Sequence, residues 1–326
     1  MGDKELNQND GIKLPSMVVL SGPTGVGKTK LSIQLAKAID GEIISADSMQ
    51  VYHFMDIGSA KIMTDEMQGV PHHLINVLMP WEEFNVVTFQ TLCKEALQGI
   101  YERGHIPIVV GGTGFYVQAL LRDIHFTENE DDSEYRKLLE EKARTEGPEA
   151  LHEMLKEVDP ESAEAIHANN IKRTIRALEY YHLTGSPISE HNETERQRDR
   201  AYNCAYFVLN DLRERLYERI EQRVDEMIKA GLVDEVKQLK RLGCTRTMTS
   251  MQGLGYKEIL DYLAGDCSLD EAIAQIKLST RHFAKRQLTW FRREQDIIWL
   301  NKNEYDYDDT KILDAMLAQL KKQHIC

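Results

Sequence analysis

Long apolar runs are missing from this 326-residue chain, so nothing in it reads as a transmembrane helix and no membrane partner is expected. Cysteine is sparse: five residues, at 93, 204, 244, 267 and 326, odd in number and never in C-x-x-C spacing. That pattern argues against a zinc site and for the reducing cytoplasm. Positive charge falls short of negative, with 40 Lys and Arg against 53 Asp and Glu and a net charge of −13. Such a balance argues naively against nucleic acid, unless the basic residues gather on one surface. No internal repeat is present. The first 16 residues are polar, unlike a signal peptide, and are expected to form a loose tail. His72 and His73 follow Pro71 with no carboxylate or cysteine nearby in sequence, and read as packed or hydrogen-bonded residues rather than metal ligands.

What is present is an ordinary globular composition, 42% hydrophobic and 29% charged, at a length that exceeds one comfortable core. Two domains are therefore expected. The chain is organised around Gly22, Pro23, Thr24, Gly25, Val26, Gly27, Lys28 and Thr29, a G-x-x-x-x-G-K-T sequence. A short apolar stretch, Met17 to Ser21, precedes it, and helix-spaced apolar residues from Lys30 to Ile39 follow. Strand, glycine turn and helix is the context in which this pattern binds phosphate. The glycines let backbone N–H groups turn inward, the helix N-terminus adds partial positive charge, Lys28 adds a full one, and the Thr29 hydroxyl can ligand Mg²⁺. The loop alone does not say which phosphate compound it holds, nucleotide or other.

A second buried strand ends at Ser45 and leads to Asp47. In an open parallel sheet the loops at the carboxyl ends of strands line the ligand crevice, so Asp47 is placed either there or as the cap of the following turn. A third strand, Ile106 to Val110, ends in Gly111, Gly112 and Thr113. Hydrolysing phosphate-loop enzymes usually carry a metal-binding Asp at such a position. Here glycines instead permit close approach by a ligand, and Thr113 offers a hydroxyl.

Helices are expected from Asn85 to Arg103, with Asn85 as N-cap, and from Gly114 to about Leu121. Between 122 and 200 strands vanish, charge rises and short helices follow one another, after an acidic linker at 128–132. The fold class is therefore α/β: a phosphate-loop parallel-sheet core, 1–121 with 201–326, interrupted by a small all-helical domain at 122–200. The helix from Asn170 to Leu183 carries Lys172, Arg173 and Arg176 on neighbouring faces. After a strand at 204–209, the helix from Leu212 to Ala230 repeats Arg215, Arg219 and Arg223 every four residues, either as a diphosphate-binding face or as an ion-pair ladder with the interleaved acids. A capping box at Ser268 starts a helix of more than twenty residues. Lys277, Arg281 and Lys285 align along it, with Arg286 adjacent. A short strand at 297–300 closes the sheet. Asn301 to Glu304 is a chance likeness to a base-binding tetrapeptide, and 304–309 a solvated acidic turn.

Taken in order, the phosphate loop, Ser45 to Tyr52, Met55 to Lys61, Pro71 to Leu74, Gly111 to Tyr116, Lys172 to Ala177, Arg219 to Val224, Gly253 to Tyr256 and Lys285 to Trp290 resemble the bacterial tRNA dimethylallyltransferase (isopentenyltransferase) family. The resemblance runs from about residue 17 to 300. It implies transfer of a dimethylallyl group from dimethylallyl pyrophosphate to N6 of adenosine 37, beside the anticodon of tRNA. It implies Asp47 as general base, Thr113 as a holder of N6, Arg223 as a guanidinium on the leaving group, and Mg²⁺ on Thr29. It also implies tRNA contact by Asp47, Ser48, Met49 and Gln50; by Lys172, Arg173, Thr174, Ile175 and Arg176; by Gln252, Gly253, Leu254, Gly255, Tyr256 and Lys257; and by the stretch from Lys277 to Gln287, with Lys277, Arg281, Lys285 and Arg286 foremost. The partners expected are the tRNA anticodon stem-loop and the pyrophosphate donor, with the protein a cytoplasmic monomer. Two other readings compete on the residues alone: a small-molecule or nucleoside kinase, and a non-catalytic RNA-binding module with a vestigial phosphate loop.

Overall fold

The computed structural model describes residues 14–126 and 133–326. The chain divides into two compact units, residues 1–121 with 200–326, and residues 122–199. The first is a six-stranded, all-parallel sheet in the order β3-β2-β4-β1-β5-β6. Its strands are β1 (Ser16–Ser21), β2 (Gly41–Ser45), β3 (His72–His73), β4 (Ile106–Gly111), β5 (Asn203–Asn210) and β6 (Ile297–Asn301). The loose tail expected through residue 16 is corrected at its end, because Ser16 already pairs with Asn203. The linker expected at 128–132 lies outside the described residues.

β1 is central, and its unbroken apolar run follows from burial on both faces. Met17 and Val19 pack into one core with Phe89, Cys93, Leu97 and Ile100 of α2 (Val86–Glu102) and Val117 and Leu120 of α3 (Gly114–Leu121). Val18 and Leu20 face the opposite core, with Leu31 and Leu35 of α1 (Lys28–Ile39). Asn85 caps α2 as expected, its Oδ1 accepting from the N–H groups of Val87 and Thr88 at 3.0 Å each. All five cysteines are free, and among the described residues no helix is long and apolar enough to cross a membrane. His73 Nε2 lies 2.6 Å from Glu42 Oε2, and Arg103 grips the same carboxylate with two bonds of 2.8 Å. The Arg103 bonds and His73 hold the Glu42 carboxyl down to about 2. The histidine pair is thus a hydrogen-bonded feature of the sheet edge.

The unit at 122–199 is helical: α4 (Ser133–Glu146), α5 (Pro148–Val158), α6 (Pro160–Ala165), α7 (Ile171–Thr184) and α8 (Ile188–Gln197). Leu139, Leu151, Leu155, Ile175 and Leu178 form its core. Asp159 caps α6 through Ser162 N–H at 2.9 Å and accepts from Ser189 of α8 at both carboxylate oxygens. The remaining helices of the first unit are α9 (Arg213–Lys229), α10 (Leu232–Arg241), α11 (Tyr256–Ala264), α12 (Leu269–Phe291) and α13 (Asp309–Lys322).

One carboxylate organises the loop after β2. Glu235 of α10 accepts from the backbone N–H groups of Asp56, Ile57 and Gly58 at 2.7–3.0 Å and from the Tyr256 hydroxyl at 2.8 Å. Gly58 is required there because a Cβ would stand 2.6 Å from the Tyr256 ring. Glu235→Leu removes the acceptor for four donors and is expected to destabilise folding by about 3 kcal/mol. Urea unfolding would read this as a lowered midpoint with an unchanged slope.

Candidate active site

Strand register brings the crevice together. Ser21 of β1 pairs with Gly111 of β4, and Ser45 of β2 pairs with Val110. The phosphate loop therefore leaves β1, Asp47 leaves β2 and Thr113 leaves β4 at one level on adjacent strands. Gly22, Gly25 and Gly27 hold positive φ angles of 149°, 79° and 101°, which L side chains adopt only with strain. No side chain caps α1 and its first turn carries no acid; α2 and α12 are capped by Asn85 and Ser268. The N-terminal amides of α1 are thus left without a side-chain acceptor.

Lys28 Nζ donates to the carbonyls of Gly22 and Pro23 at 2.8 and 2.9 Å. Burial lowers its pKa to about 8, the Asp47 carboxylate opposes that shift and the Arg223 guanidinium adds to it. Burial also holds Arg223 below its ordinary value, with Asp47 opposing and Arg219 reinforcing. Burial and then Asp47 push the Tyr116 phenol up to about 12. The Asp47 carboxylate thus acts on both Lys28 and Arg223, with Arg219 beside the second and Glu226 and Glu66 also acting on it.

Asp47 caps the turn after β2, and its charge acts on Lys28, Arg223 and Tyr116. Its Oδ1 accepts from Met49 N–H at 2.9 Å and Gln50 N–H at 3.4 Å, capping the turn. Among the described residues Oδ2 has no hydrogen-bond partner. Ser48, Met49 and Gln50 are half-buried beside it. The backbone carbonyl of Thr113 starts α3, accepting from Tyr116 N–H at 3.0 Å, and its side chain is half-buried. Thr29 is exposed on the first turn of α1.

The arginine repeat on α9 divides. Arg215 lies 4.0 Å from Asp211 and stacks 3.9 Å over the Tyr307 ring. Arg219 stands beside the loop, 3.3 Å from where a Cβ on Gly27 would be. Lys302 approaches the same point at 3.5 Å while 3.5 Å from Asp309, which also pairs with Lys30 at 2.8 Å. Asp309 is therefore an anchored partner of two lysines, not part of a solvated turn. Arg219 is one of the three guanidiniums of the repeat read as a possible diphosphate-binding face, whereas Lys302 carries no such signal in the sequence.

The glycines after β4 are also corrected. A Cβ on Gly111 would meet the Ala46 carbonyl oxygen at 2.3 Å, one on Gly112 the Gln287 amide at 2.2 Å, and one on Gly114 the Trp290 ring at 2.2 Å. The close approach they allow is by the protein's own backbone and by α12.

The residues expected to touch tRNA separate into three groups. Lys172, Arg173, Gln252, Lys285 and Arg286 are exposed, and Arg176, Leu254 and Lys257 half-buried. Thr174, Ile175, Gly253, Gly255 and Tyr256 are buried, so side-chain contact with a macromolecule is excluded for Thr174, Ile175 and Tyr256 as they stand. Ile175 packs in the helical core, and Tyr256 is committed to Glu235. Lys277 is paired with Asp225 at 2.7 Å and Arg281 with Glu221, so half of the α12 cation row is neutralised by α9. Among the described residues no group of three or more His, Cys, Asp and Glu could hold a metal ion.

The IPP transferase family profile matches residues 50–294, and that of isopentenyl transferases residues 15–76. The chain is 61% identical over 309 residues to the tRNA dimethylallyltransferase of Lachnoclostridium phytofermentans, covering 95% of this chain and 98% of that one. The crystal structure of the tRNA isopentenylpyrophosphate transferase of Bacillus halodurans is 44% identical with a TM-score of 0.70, covering 95% and 98% of the two chains. A eukaryotic dimethylallyltransferase solved acting on tRNA is 33% identical with a TM-score of 0.75, covering 88% of this chain and 74% of that one. The all-parallel sheet, the uncapped phosphate loop and the matched stretch agree: this chain belongs to the IPP transferase family.

Proposed function

We propose that the protein transfers a dimethylallyl group from dimethylallyl pyrophosphate to N6 of adenosine 37 in tRNA. The observation that carries the reading is the shared electrostatic site of Lys28, Arg223 and Asp47 at the mouth of an uncapped phosphate loop. An adenine amine is a weak nucleophile because its lone pair is delocalised into the ring. As N6 bonds to C1 of the donor, the C1–O bond breaks and the electron pair leaves with pyrophosphate. The loop amides, Lys28, Arg219 and Arg223 stabilise that developing charge. The N6 proton passes to Asp47 Oδ2, the oxygen that the turn leaves open. Thr113 at the end of β4 orients N6. The base must leave the loop stack to reach this crevice.

The donor set at the loop fits Mg²⁺ better than a softer metal. Thr29 supplies one hydroxyl oxygen, and the remaining ligands would be substrate phosphates and water, the arrangement this hard cation favours. When bound, it neutralises charge on the departing pyrophosphate.

For tRNA, the exposed cations Lys285 and Arg286, Lys172 and Arg173 are the candidate phosphate contacts. Lys285→Ala is expected to weaken tRNA uniformly and to reduce the salt slope of log K by about 0.7 to 0.9, one phosphate's worth. Arg281→Ala is expected to change the slope less, because Glu221 already partners that guanidinium. Filter binding across a salt series checks both.

Incubating the enzyme with dimethylallyl pyrophosphate, Mg²⁺ and a tRNA transcript, followed by nucleoside mass spectrometry, tests the activity. Dimethylallyl adenosine at position 37 is the expected product. Phosphate transfer from ATP to a small acceptor, with unmodified tRNA, would install the kinase reading in its place. Tight tRNA binding with no product would favour the non-catalytic module.

A further inference from the structure

Gln287 directly follows the exposed Lys285 and Arg286 on α12, yet the residue is only 6% exposed. Both ends of its amide are used. The backbone N–H of Thr24 donates to Oε1 at 2.9 Å, and Nε2 donates to the carbonyl of Gly112 at 3.0 Å. Thr24 lies at the tip of the phosphate loop, and Gly112 immediately precedes Thr113. The amide therefore joins the two walls of the crevice, one holding the anion nest and the other the hydroxyl. Gly112 admits it, since a Cβ there would stand 2.2 Å from Nε2. One turn of α12 thus shows Lys285 and Arg286 to solvent and Gln287 to the loop.

We propose that Gln287 is a positioning residue for the transfer reaction, fixing the spacing between the anion-binding loop and the β4 end without touching either substrate. This rests on reading the crevice as a prenyl-transfer site. A loop with three glycines at positive φ is soft on its own. In-line displacement needs the leaving oxygen, C1 and N6 aligned, and a shift of about 1 Å at a remote support can cost about 100-fold. A bidentate amide between the two walls is a short route to that alignment. The buried amide is satisfied only while both walls keep their places.

The test uses Gln287→Leu, Gly112→Ala, and Gly112→Ala combined with Gln287→Ala, in the full-length enzyme. Gln287→Leu keeps the volume and removes both bonds. It is expected to lower kcat by about 30- to 100-fold at saturating substrates, with tRNA Kd within about twofold. The added methyl of Gly112→Ala displaces the amide and is expected to lower both kcat and the thermal midpoint. Shortening residue 287 in the double variant makes room for that methyl, so the midpoint recovers while kcat stays low. Recovery of kcat together with the midpoint would overturn the proposal, because packing alone would then explain Gln287. A loss of tRNA affinity with normal kcat would overturn it too, by making Gln287 an RNA contact. Inorganic pyrophosphate titrated calorimetrically with Mg²⁺ gives a readout independent of transfer, expected to weaken by about fivefold in Gln287→Leu through loss of preorganisation. If the wild-type enzyme transfers nothing to tRNA, the functional reading fails; if it transfers normally and Gln287→Leu does as well, the positioning role fails.

Discussion

Asp47→Asn is expected to lower kcat by about 10²- to 10⁴-fold, the usual contribution of a positioned general base. Asparagine is a sharper probe than alanine because of how the residue is held. Oδ1 accepts from the Met49 and Gln50 N–H groups, and the asparagine carbonyl can accept the same bonds. The turn that carries Ser48, Met49 and Gln50 then survives, along with the packing of Met49 against Gly253. What is lost is the second oxygen, the one open to take a proton from N6. Affinity for tRNA, measured by filter binding, should change by less than about threefold, since a surface polar contact carries roughly 0.5 kcal/mol or little more. Alanine would also remove the turn cap, at about 1 kcal/mol, and mix a placement defect with the loss of the base. Near-normal turnover in Asp47→Asn would remove Asp47 from the chemistry. A large rise in tRNA Kd with unchanged kcat would make it an RNA contact only.

The legible parts of this fold are those where one local rule acts alone. The phosphate loop was readable because its glycines serve backbone geometry, and Gly22, Gly25 and Gly27 do hold positive φ. The Asn85 and Ser268 caps were readable because each bond closes within three residues. α8 was not, since its sequence from Ile188 to Gln197 is almost wholly polar and offers no apolar period. Its place is fixed instead by Ser189 bonding to Asp159, thirty positions away. α13 does carry a local signal, since Ile312, Met316 and Leu320 recur every four residues and pack into the second core. At the candidate site, position on a strand end places Asp47 and Thr113 at the level of the phosphate loop. What sequence could not convey was which cations are already spoken for. Lys277 and Arg281 look like Lys285 and Arg286 along α12, but the first two face acids on α9, and only packing reveals that. The glycines after β4 likewise give no sign in sequence that α12 is what approaches them.

Replacing Lys28 by methionine should lower kcat/KM for the allyl donor by about 10²- to 10³-fold, comparable to losing one preorganised donor to a developing oxyanion. The pH dependence of the wild type gives a second view of the same residue. Burial brings Lys28 down to about 8, with Arg223 pushing the same way. A base with a lowered pKa is charged below that value and loses its charge as the pH rises through it. In the free enzyme, kcat/KM for the donor should therefore fall above about pH 8, approaching tenfold per unit. Bound pyrophosphate brings negative charge beside the ammonium and raises its pKa, so kcat at saturating donor should stay level over the same range. Lys28→Arg keeps a charge that does not titrate there, and the descending limb in kcat/KM should vanish even if the absolute rate drops, because the forked guanidinium does not replace a compact ammonium held between the Gly22 and Pro23 carbonyls. A limb that persists unchanged in Lys28→Arg would assign it to another group, and would leave the cation at the head of α1 without a role in donor binding.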